Sequence, residues 1–208
     1  MIKKIINRRD KGGIGIAIVS LFMLMLLELY IMVPALYQIR VTQAQSIQDD
    51  LHLSNLACYK DIDMNTLAQA PVKEDDHEDI YVDDIKIKDP DTALSTFEEY
   101  LKFNMNLDNN FNPKDSGIIM GPIVVQEFTI YNVDVDSNTV SVENYNDNTH
   151  MFTTTVKQYK DGNNYLIRTS NDKPVENTCV SSTISFKTKT IFGNTIQSHA
   201  SVDTDITK

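Results

Sequence analysis

The stretch from Ile14 to Tyr37, IGIAIVSLFMLMLLELYIMVPALY, decides the fold of this chain. It contains about 24 residues, and a helix of about 20 apolar residues is long enough to cross the hydrocarbon core of a bilayer. Glu28 is the only acidic or basic side chain in it. The sequence therefore predicts a transmembrane helix over residues 14–37, with the lipid bilayer as its first partner.

The charges on the two sides of this stretch differ in sign. The tail over residues 1–13 is basic, because Asp10 is outnumbered by Lys3, Lys4, Arg8, Arg9 and Lys11. Beyond Arg40 the chain becomes acidic, and its 208 residues carry a formal net charge of −10. Basic segments are retained on the cytoplasmic side of a membrane. We therefore expect a single-pass protein of the cell membrane, with a cytoplasmic N-terminus and an extracytoplasmic C-terminal domain.

A cleaved secretory signal is the main alternative. Its apolar core is normally about 7–15 residues long and ends in a small-x-small cleavage site. The stretch here is longer, and Val33-Pro34-Ala35 is a poor cleavage site because the large residues Leu36 and Tyr37 follow it. The pattern favours an uncleaved signal-anchor.

Glu28 admits two interpretations. A carboxylate in hydrocarbon is unfavourable unless it is protonated or has a partner. In the first interpretation, Glu28 is an intramembrane contact with another subunit, such as a basic group on a neighbouring helix. In the second, the Glu28 side chain is protonated or extends toward the membrane–water interface, and the surrounding apolar residues offset the free-energy cost of its insertion. Both interpretations are open at the level of sequence.

Residues 38–60 are predicted to continue the apolar helix as an extracytoplasmic stem. Ala44, Ile47 and Leu51 follow a helical spacing, so one side of the stem is apolar and needs a packing partner. That partner is either its own globular domain or a bundle with other subunits. Residues 61–79 are mostly acidic toward their end and are interpreted as a linker.

The two cysteines are Cys58 in the stem and Cys179 in a late predicted strand. An extracytoplasmic location permits a disulfide between them. The alternative is two small, buried apolar side chains, because pairing cannot be deduced from sequence alone.

Residues 80–208 are predicted to form an exported domain of the α+β class. A strand-like run from Ile80 to Ile87 comes first. Asp89-Pro90 then starts a helix that extends to about Asn109, with Asp89 as the N-cap and Pro90 at the first helical position. Its apolar face contains Leu94, Phe97, Leu101 and Met105.

The chain after Gly117 is predicted to form successive β-hairpins. Runs rich in Ile, Val, Phe and Thr are separated by turn sequences at Asp136–Asn138, Asp161-Gly162 and Gly193-Asn194. The complete prediction is an N-terminal transmembrane helix that continues into a stem, followed by a domain with one helix and an antiparallel sheet.

Few residues suggest chemistry. The nucleophile-elbow, P-loop, zincin and dinucleotide-binding motifs are missing from the sequence. Asp134, Asp136 and Asn138 have the spacing that opens a calcium loop, but its glycine and final glutamate are missing, and a hairpin explains these residues better. The histidines are scattered along the chain, at His52, His77, His150 and His199. We therefore expect no catalytic residue, no metal site and no cofactor, and the acidic charge argues against nucleic-acid binding.

The order of these segments resembles that of type IV pilin-like proteins, in particular the tight-adherence (TadE-like) minor pilins. Arg8-Arg9-Asp10-Lys11-Gly12-Gly13, followed by Ile14, matches a short basic leader, a glycine and an apolar helix. The resemblance covers the layout of residues 1–60, and it implies leader processing at Gly12 or Gly13. It departs from the pattern at the fifth residue after the glycine, where these pilins carry glutamate and this chain has Ala17 or Ile18.

The leading hypothesis is a membrane-anchored, pilin-like structural component of a bacterial surface pilus or secretion assembly. It would meet other pilin-like or membrane-assembly subunits through its N-terminal helix. The alternative is an unprocessed bitopic scaffold subunit of a conjugation or secretion machine. A membrane-tethered enzyme or receptor is a third class, and no residue pattern in the chain favours it.

Overall fold

The structure, a computed structural model, describes residues 3–62, 85–115, 117–147, 149–190 and 193–205. The predicted acidic linker beyond Ile62 and the start of the predicted strand at Ile80 lie outside these residues. The chain divides into two units, Met1–Ala44 and Gln45–Lys208. We call the second of these the head unit.

Helix α1 spans Lys3–Ala57 and has Pro34 inside it, and its residues up to Ala44 belong to the first unit. The most apolar window of this helix has a mean hydropathy of 2.5, and none of it is buried by the protein. The N-terminal helix is thus long and apolar enough to cross a membrane, and a signal sequence at this position would satisfy the same criteria.

The head unit is an α+β domain, as predicted. The end of α1 is followed by a 3-10 turn at Cys58–Asp61 and by helix α2 at Pro90–Asn104. Five strands form one antiparallel sheet in the order β3-β2-β1-β6-β7, and β4 pairs with β5 separately. The strands are β1 Ile119–Asp134, β2 Thr139–Asn146, β3 Met151–Gln158, β4 Lys160–Asp161, β5 Asn164–Tyr165, β6 Cys179–Lys189 and β7 Thr195–Asp205.

Helix α2 begins as the sequence predicts and ends earlier. Asp89 is the N-cap, and its side chain accepts a hydrogen bond from the Asp91 N–H at 3.1 Å. The predicted end near Asn109 is wrong, because Asn106 adopts a left-handed φ of 50°. The Leu107 N–H then donates to the Lys102 carbonyl at 2.8 Å, which closes the helix in a Schellman motif.

One face of the five-stranded sheet carries the larger hydrophobic core. The ring centroids of Phe97 on α2 and Phe128 on β1 are 5.0 Å apart. The predicted apolar face of α2 supplies Leu94, Phe97 and Leu101 to this core, all buried. The other buried members are Ile47, Leu51, Cys58, Ile87, Ala93, Leu107, Ile123, Phe128, Ile130, Val180, Ile184, Phe186 and Ala200.

A second, smaller core lies on the opposite sheet face. Tyr131 and Val133 of β1 point there because strand side chains alternate between faces. Val140 of β2 lies opposite Val133 in the register and joins them. The loop residues Tyr159 and Val175 cover the cluster together with Cys179. The sheet is therefore covered on both faces toward the end of β1.

The last turns of α1 pack against the sheet of the head unit. Ile47 and Leu51 are buried in the larger core. The fully buried Asn55 donates from Nδ2 to the Val202 carbonyl at 3.1 Å and accepts at Oδ1 from the Ser182 hydroxyl at 2.7 Å. Ser182 and Val202 are register partners in β6 and β7. The carboxamide therefore joins α1 to both strands of one hairpin.

Further polar contacts hold the end of α1 and the 3-10 turn that follows it. The Tyr59 hydroxyl donates to the Thr204 carbonyl of β7 at 2.6 Å. On the other side, Asn104 at the end of α2 donates from Nδ2 to the Ser54 hydroxyl at 3.1 Å. The apolar stem predicted from the sequence thus has its own head unit as a packing partner over residues 47–59.

Replacing Asn55 with alanine tests this connection. Asn55→Ala removes a buried carboxamide, which leaves the Val202 carbonyl without this donor and the Ser182 hydroxyl without its acceptor, so we expect a loss of about 1–3 kcal/mol of unfolding free energy. Urea unfolding of the full-length protein in mild detergent, followed by the near-ultraviolet signal of its tyrosines, measures the effect. The exposed Asn109, changed to alanine, is the control, and equal midpoints for the two variants would contradict the assignment.

Candidate functional site

The first candidate site is the unburied surface of α1 in the unit Met1–Ala44. Its large apolar side chains are exposed, for example Leu21 at 72% and Tyr30 at 78%, and Glu28 is exposed among them. At the centre of a membrane helix, a carboxylate costs about 2.5–3.5 kcal/mol on translocon-insertion scales. Gly12 and Gly13 lie in the same helix. This surface is suited to lipid and to other apolar helices.

The two cysteines are both buried thiols in the head unit, so the disulfide considered from the sequence is not formed in the structure. Cys58 donates to the Ala93 carbonyl at 3.5 Å. Burial raises the pKa of the Cys179 thiol, and the nearby Asp203 adds to that rise. Burial also raises the pKa of Tyr59 well above its usual value, with smaller contributions from Cys179, Asp205 and Cys58. The Cys179 thiol is therefore a poor nucleophile, because the thiolate is the reactive form.

The described histidines occupy three different places. His52 on α1 has its Nδ1 2.9 Å from the Thr204 hydroxyl, and His150 has its Nδ1 2.8 Å from the Tyr145 hydroxyl. His199 is exposed on β7, and His77 lies outside the described residues. In the ranges that the structure describes, no group of three His, Cys, Asp or Glu side chains is arranged to hold a metal ion.

A groove of about 480 Å³ lies between α1 and β7 in the head unit. Its lining is polar and mixed in charge, and the residues are Gln48, Asp49, His52, Asn171, Lys173, Ser201, Val202 and Asp203. Asp203 accepts from the Thr169 hydroxyl at 2.6 Å and from Asn171 Nδ2 at 2.9 Å. Lys173 pairs with Asp205 at 3.3 Å. These hydrogen bonds tie the loop at residues 169–173 to β7.

A second pocket, of about 320 Å³, lies on the helix-bearing face of the sheet beside β2. Asn132 is one of the residues that line it, and its carboxamide bonds to both backbone groups of Ile87. The Ile87 N–H donates to Asn132 Oδ1 at 2.8 Å, and Asn132 Nδ2 donates to the Ile87 carbonyl at 3.1 Å. This carboxamide therefore ties the segment before α2 to the sheet.

Asp134 lines this pocket at the end of β1, next to the predicted turn Asp136–Asn138. Lys86 Nζ donates to Asp134 Oδ2 at 2.7 Å, and the Ser137 N–H donates to Oδ1 at 3.0 Å. These bonds lower the pKa of Asp134 to about 2. Asn138 has a positive φ of 52° and accepts from the Lys160 N–H. The residues with calcium-like spacing thus build a hairpin turn.

Asp134→Asn should reduce stability in a pH-dependent way. The folded-state pKa lies below the ordinary value of 3.8, so the stabilisation is present above that value and is lost as the pH falls toward about 2. Because the pair is about one-third exposed, we expect a loss of at most about 1 kcal/mol near pH 7. Urea midpoints across this pH range measure it. Asp172→Asn, which breaks the more exposed pair with Arg168, is the control.

Glu143 faces the same pocket with one oxygen satisfied and one not. Its Oε1 is 3.4 Å from both Asn132 Nδ2 and the Ser141 hydroxyl. Its Oε2 is buried and has no hydrogen-bond partner within the described part of the chain. Burial raises the pKa of this carboxyl group, against the effect of the two hydrogen bonds.

Glu143→Gln should therefore change stability in the opposite direction to Asp134→Asn. A raised carboxyl pKa means that the stabilisation is complete below the ordinary value of 4.5 and is lost as the pH rises through the folded-state pKa. The neutral amide of the introduced glutamine does not ionise, so the variant does not lose this stability as the pH rises. We expect Glu143→Gln to unfold at a higher urea concentration than the wild type at about pH 8 and at the same concentration at about pH 4. The exposed Glu99, changed to glutamine, should show neither effect.

Comparison of the chain with protein-family models, with curated proteins and with solved structures found no match in any of the three. The function is therefore inferred from the chain's own residues.

The sequence did not single out the buried carboxamides Asn55 and Asn132. A signal for Asn55 exists, because it lies four residues after the buried Leu51 on the apolar side of the stem. A polar residue at such a position needs a hydrogen-bonding partner when it is buried. For Asn132 a similar signal lies in its position between the apolar Ile130 and Asp134 on one strand face.

Proposed function

We propose that this protein is a membrane-anchored, pilin-like structural component of a bacterial surface pilus or secretion assembly. The observation that carries the proposal is the apolar window of α1, which has a mean hydropathy of 2.5 and is not buried by the protein itself. An apolar surface of this size is stable only in lipid or against other apolar surfaces. The same helix supplies Ile47, Leu51 and Asn55 to the head unit, so it is an integral part of the folded protein.

The membrane orientation is part of the proposal. The basic tail, residues 1–13, supports a cytoplasmic N-terminus, and the acidic remainder supports an extracytoplasmic head unit. The length of the apolar stretch and the poor cleavage site at Val33-Pro34-Ala35 support an uncleaved anchor at that position. The protein is then a single-pass component of the cell membrane or cell surface.

The proposed role is structural, without a reaction or a cofactor. The polar side chains of both head pockets bond mainly to the protein itself, as Asp203, Asp134 and Asn132 do. Such contacts hold loops and segments to the sheet. The resemblance of the leader Arg8–Gly13 to that of pilins supports a subunit that is processed and then assembled.

A scaffold subunit that stays unprocessed is the second candidate function, and a specific observation favours it. Neither Ala17 nor Ile18 supplies the glutamate that follows the processed glycine in the pilin pattern. An unprocessed bitopic protein needs no such residue, and it would remain in the membrane as part of a conjugation or secretion machine.

The intact mass and the N-terminal sequence of the protein from its host membrane distinguish these functions. We expect a chain that begins at Gly13 or Ile14 if it is a pilin-like subunit. A double variant, Gly12→Leu with Gly13→Leu, should then retain the leader, whereas Gly15→Leu should be processed normally.

Two other results would contradict the leading proposal. A chain that retains the leader through Gly12 and Gly13 would identify the scaffold function instead. A chain that begins after Pro34 would mean that the apolar stretch is a cleaved signal, and both membrane-anchored functions would then be wrong.

A further inference from the structure

The charged residue, the serine and both alanines of the apolar stretch lie on one side of α1, together with Gly13. At about 100° per residue, Gly13, Ala17, Ser20, Glu28 and Ala35 fall within an arc of about 80°. Ala17 and Ala35 are the only alanines between residues 13 and 37, Ser20 is the only serine, and Glu28 is the only charged residue. We call this arc the Glu28 face.

The opposite side of the helix is different in character. Apart from Gly15, it presents large apolar side chains, among them Ile18, Phe22, Leu29 and Val33. Phe22 is 60% exposed and Val33 57% exposed, so the protein itself covers neither. Large apolar side chains suit lipid, whereas small side chains allow the backbones of two membrane helices to approach closely. The two sides of α1 therefore have different environments.

Glu28 shows what the Glu28 face requires from its neighbour. An acidic side chain at membrane depth is typically directed toward a protein partner that neutralises it. A second copy of this chain would bring another Glu28 to the same depth, and like charges repel. It would bring no cation, because Lys, Arg and His are all absent between Gly12 and Ile39.

We propose that the Glu28 face packs against a transmembrane helix of a different protein, and that this helix carries a lysine or arginine at the depth of Glu28. Small residues on the face allow close approach, and the opposite charge fixes the axial position of the two helices. This inference rests on the proposed membrane anchoring of α1, and it identifies which side of the anchor is the interface and what chemistry the partner supplies.

Site-specific photo-crosslinking in host membranes tests the proposal. The full-length chain carries p-benzoylphenylalanine at Leu24, which lies on the Glu28 face, or at Leu26, which lies on the opposite side. We expect a protein adduct of discrete mass from position 24 and lipid adducts from position 26. Mass spectrometry of the position-24 adduct should map the link to a membrane-spanning segment that contains Lys or Arg.

The charge of Glu28 supplies the second readout. Glu28→Lys should reduce the position-24 adduct several-fold, whereas Glu28→Gln should reduce it less, because the amide still donates and accepts hydrogen bonds. Changing the mapped Lys or Arg of the partner to Glu, together with Glu28→Lys, should restore the adduct. An adduct that is indifferent to these changes would overturn the proposed charge pairing.

Several other outcomes would overturn the inference. They are an adduct with a second copy of α1, equal protein adducts from positions 24 and 26, and no protein adduct from position 24. Extraction by alkaline carbonate separates these failures from failure of the anchor. If the chain stays in the membrane and gives one of these adduct results, only the inference about the partner helix is wrong and the proposed function stands. If carbonate releases the chain, both the inference and the proposed membrane anchoring are wrong.

Discussion

The carboxamide of Asn55 is the interaction on which the head unit depends. Helix α1 ends over a β-hairpin, and a helix over a hairpin could slide along it if only apolar side chains were in contact. Asn55 meets one register pair, Ser182 and Val202, with its two ends. Because a carboxamide both donates and accepts, it fits the hairpin in one axial position. The buried Ile47 and Leu51 then pack in a fixed relation to the sheet.

Carboxamides have the same role at two other junctions. Asn132 completes the hydrogen bonds of Ile87, which pairs with the sheet through a side chain instead of a strand. Asn104 joins the end of α2 to Ser54 of α1. In each case a segment without a place in the sheet is connected by a neutral polar side chain, which avoids the desolvation cost of a buried charge. The charged pairs, such as Lys86 with Asp134, lie nearer the surface.

Much of the fold was predictable from local pattern. Asp89-Pro90 set the start of α2 because capping depends on neighbouring residues alone, and the hairpin turn around Asn138 followed from turn chemistry. The end of α2 was predicted wrongly, because the left-handed conformation of Asn106 is one of several that asparagine adopts.

The candidate site was predictable only in part, because local patterns do not specify contacts between residues that are distant in sequence. The apolar stretch and Glu28 are visible in the sequence because their meaning depends on composition and helix geometry. The contacts of Asn55, Asn132 and Asp134 are with residues 45 to 147 positions away or in another element, and no local pattern specifies such pairings. Tertiary packing decides them, as it decides whether Cys58 and Cys179 remain thiols.

The long sequence separation between α1 and β7 has a consequence for biosynthesis. Asn55 and Tyr59 obtain their acceptors from Val202 and Thr204, which the ribosome adds almost 150 residues later. Contacts of such high sequence separation form late in folding. The nascent head unit therefore has to wait for its last strand with the apolar side of the stem uncovered.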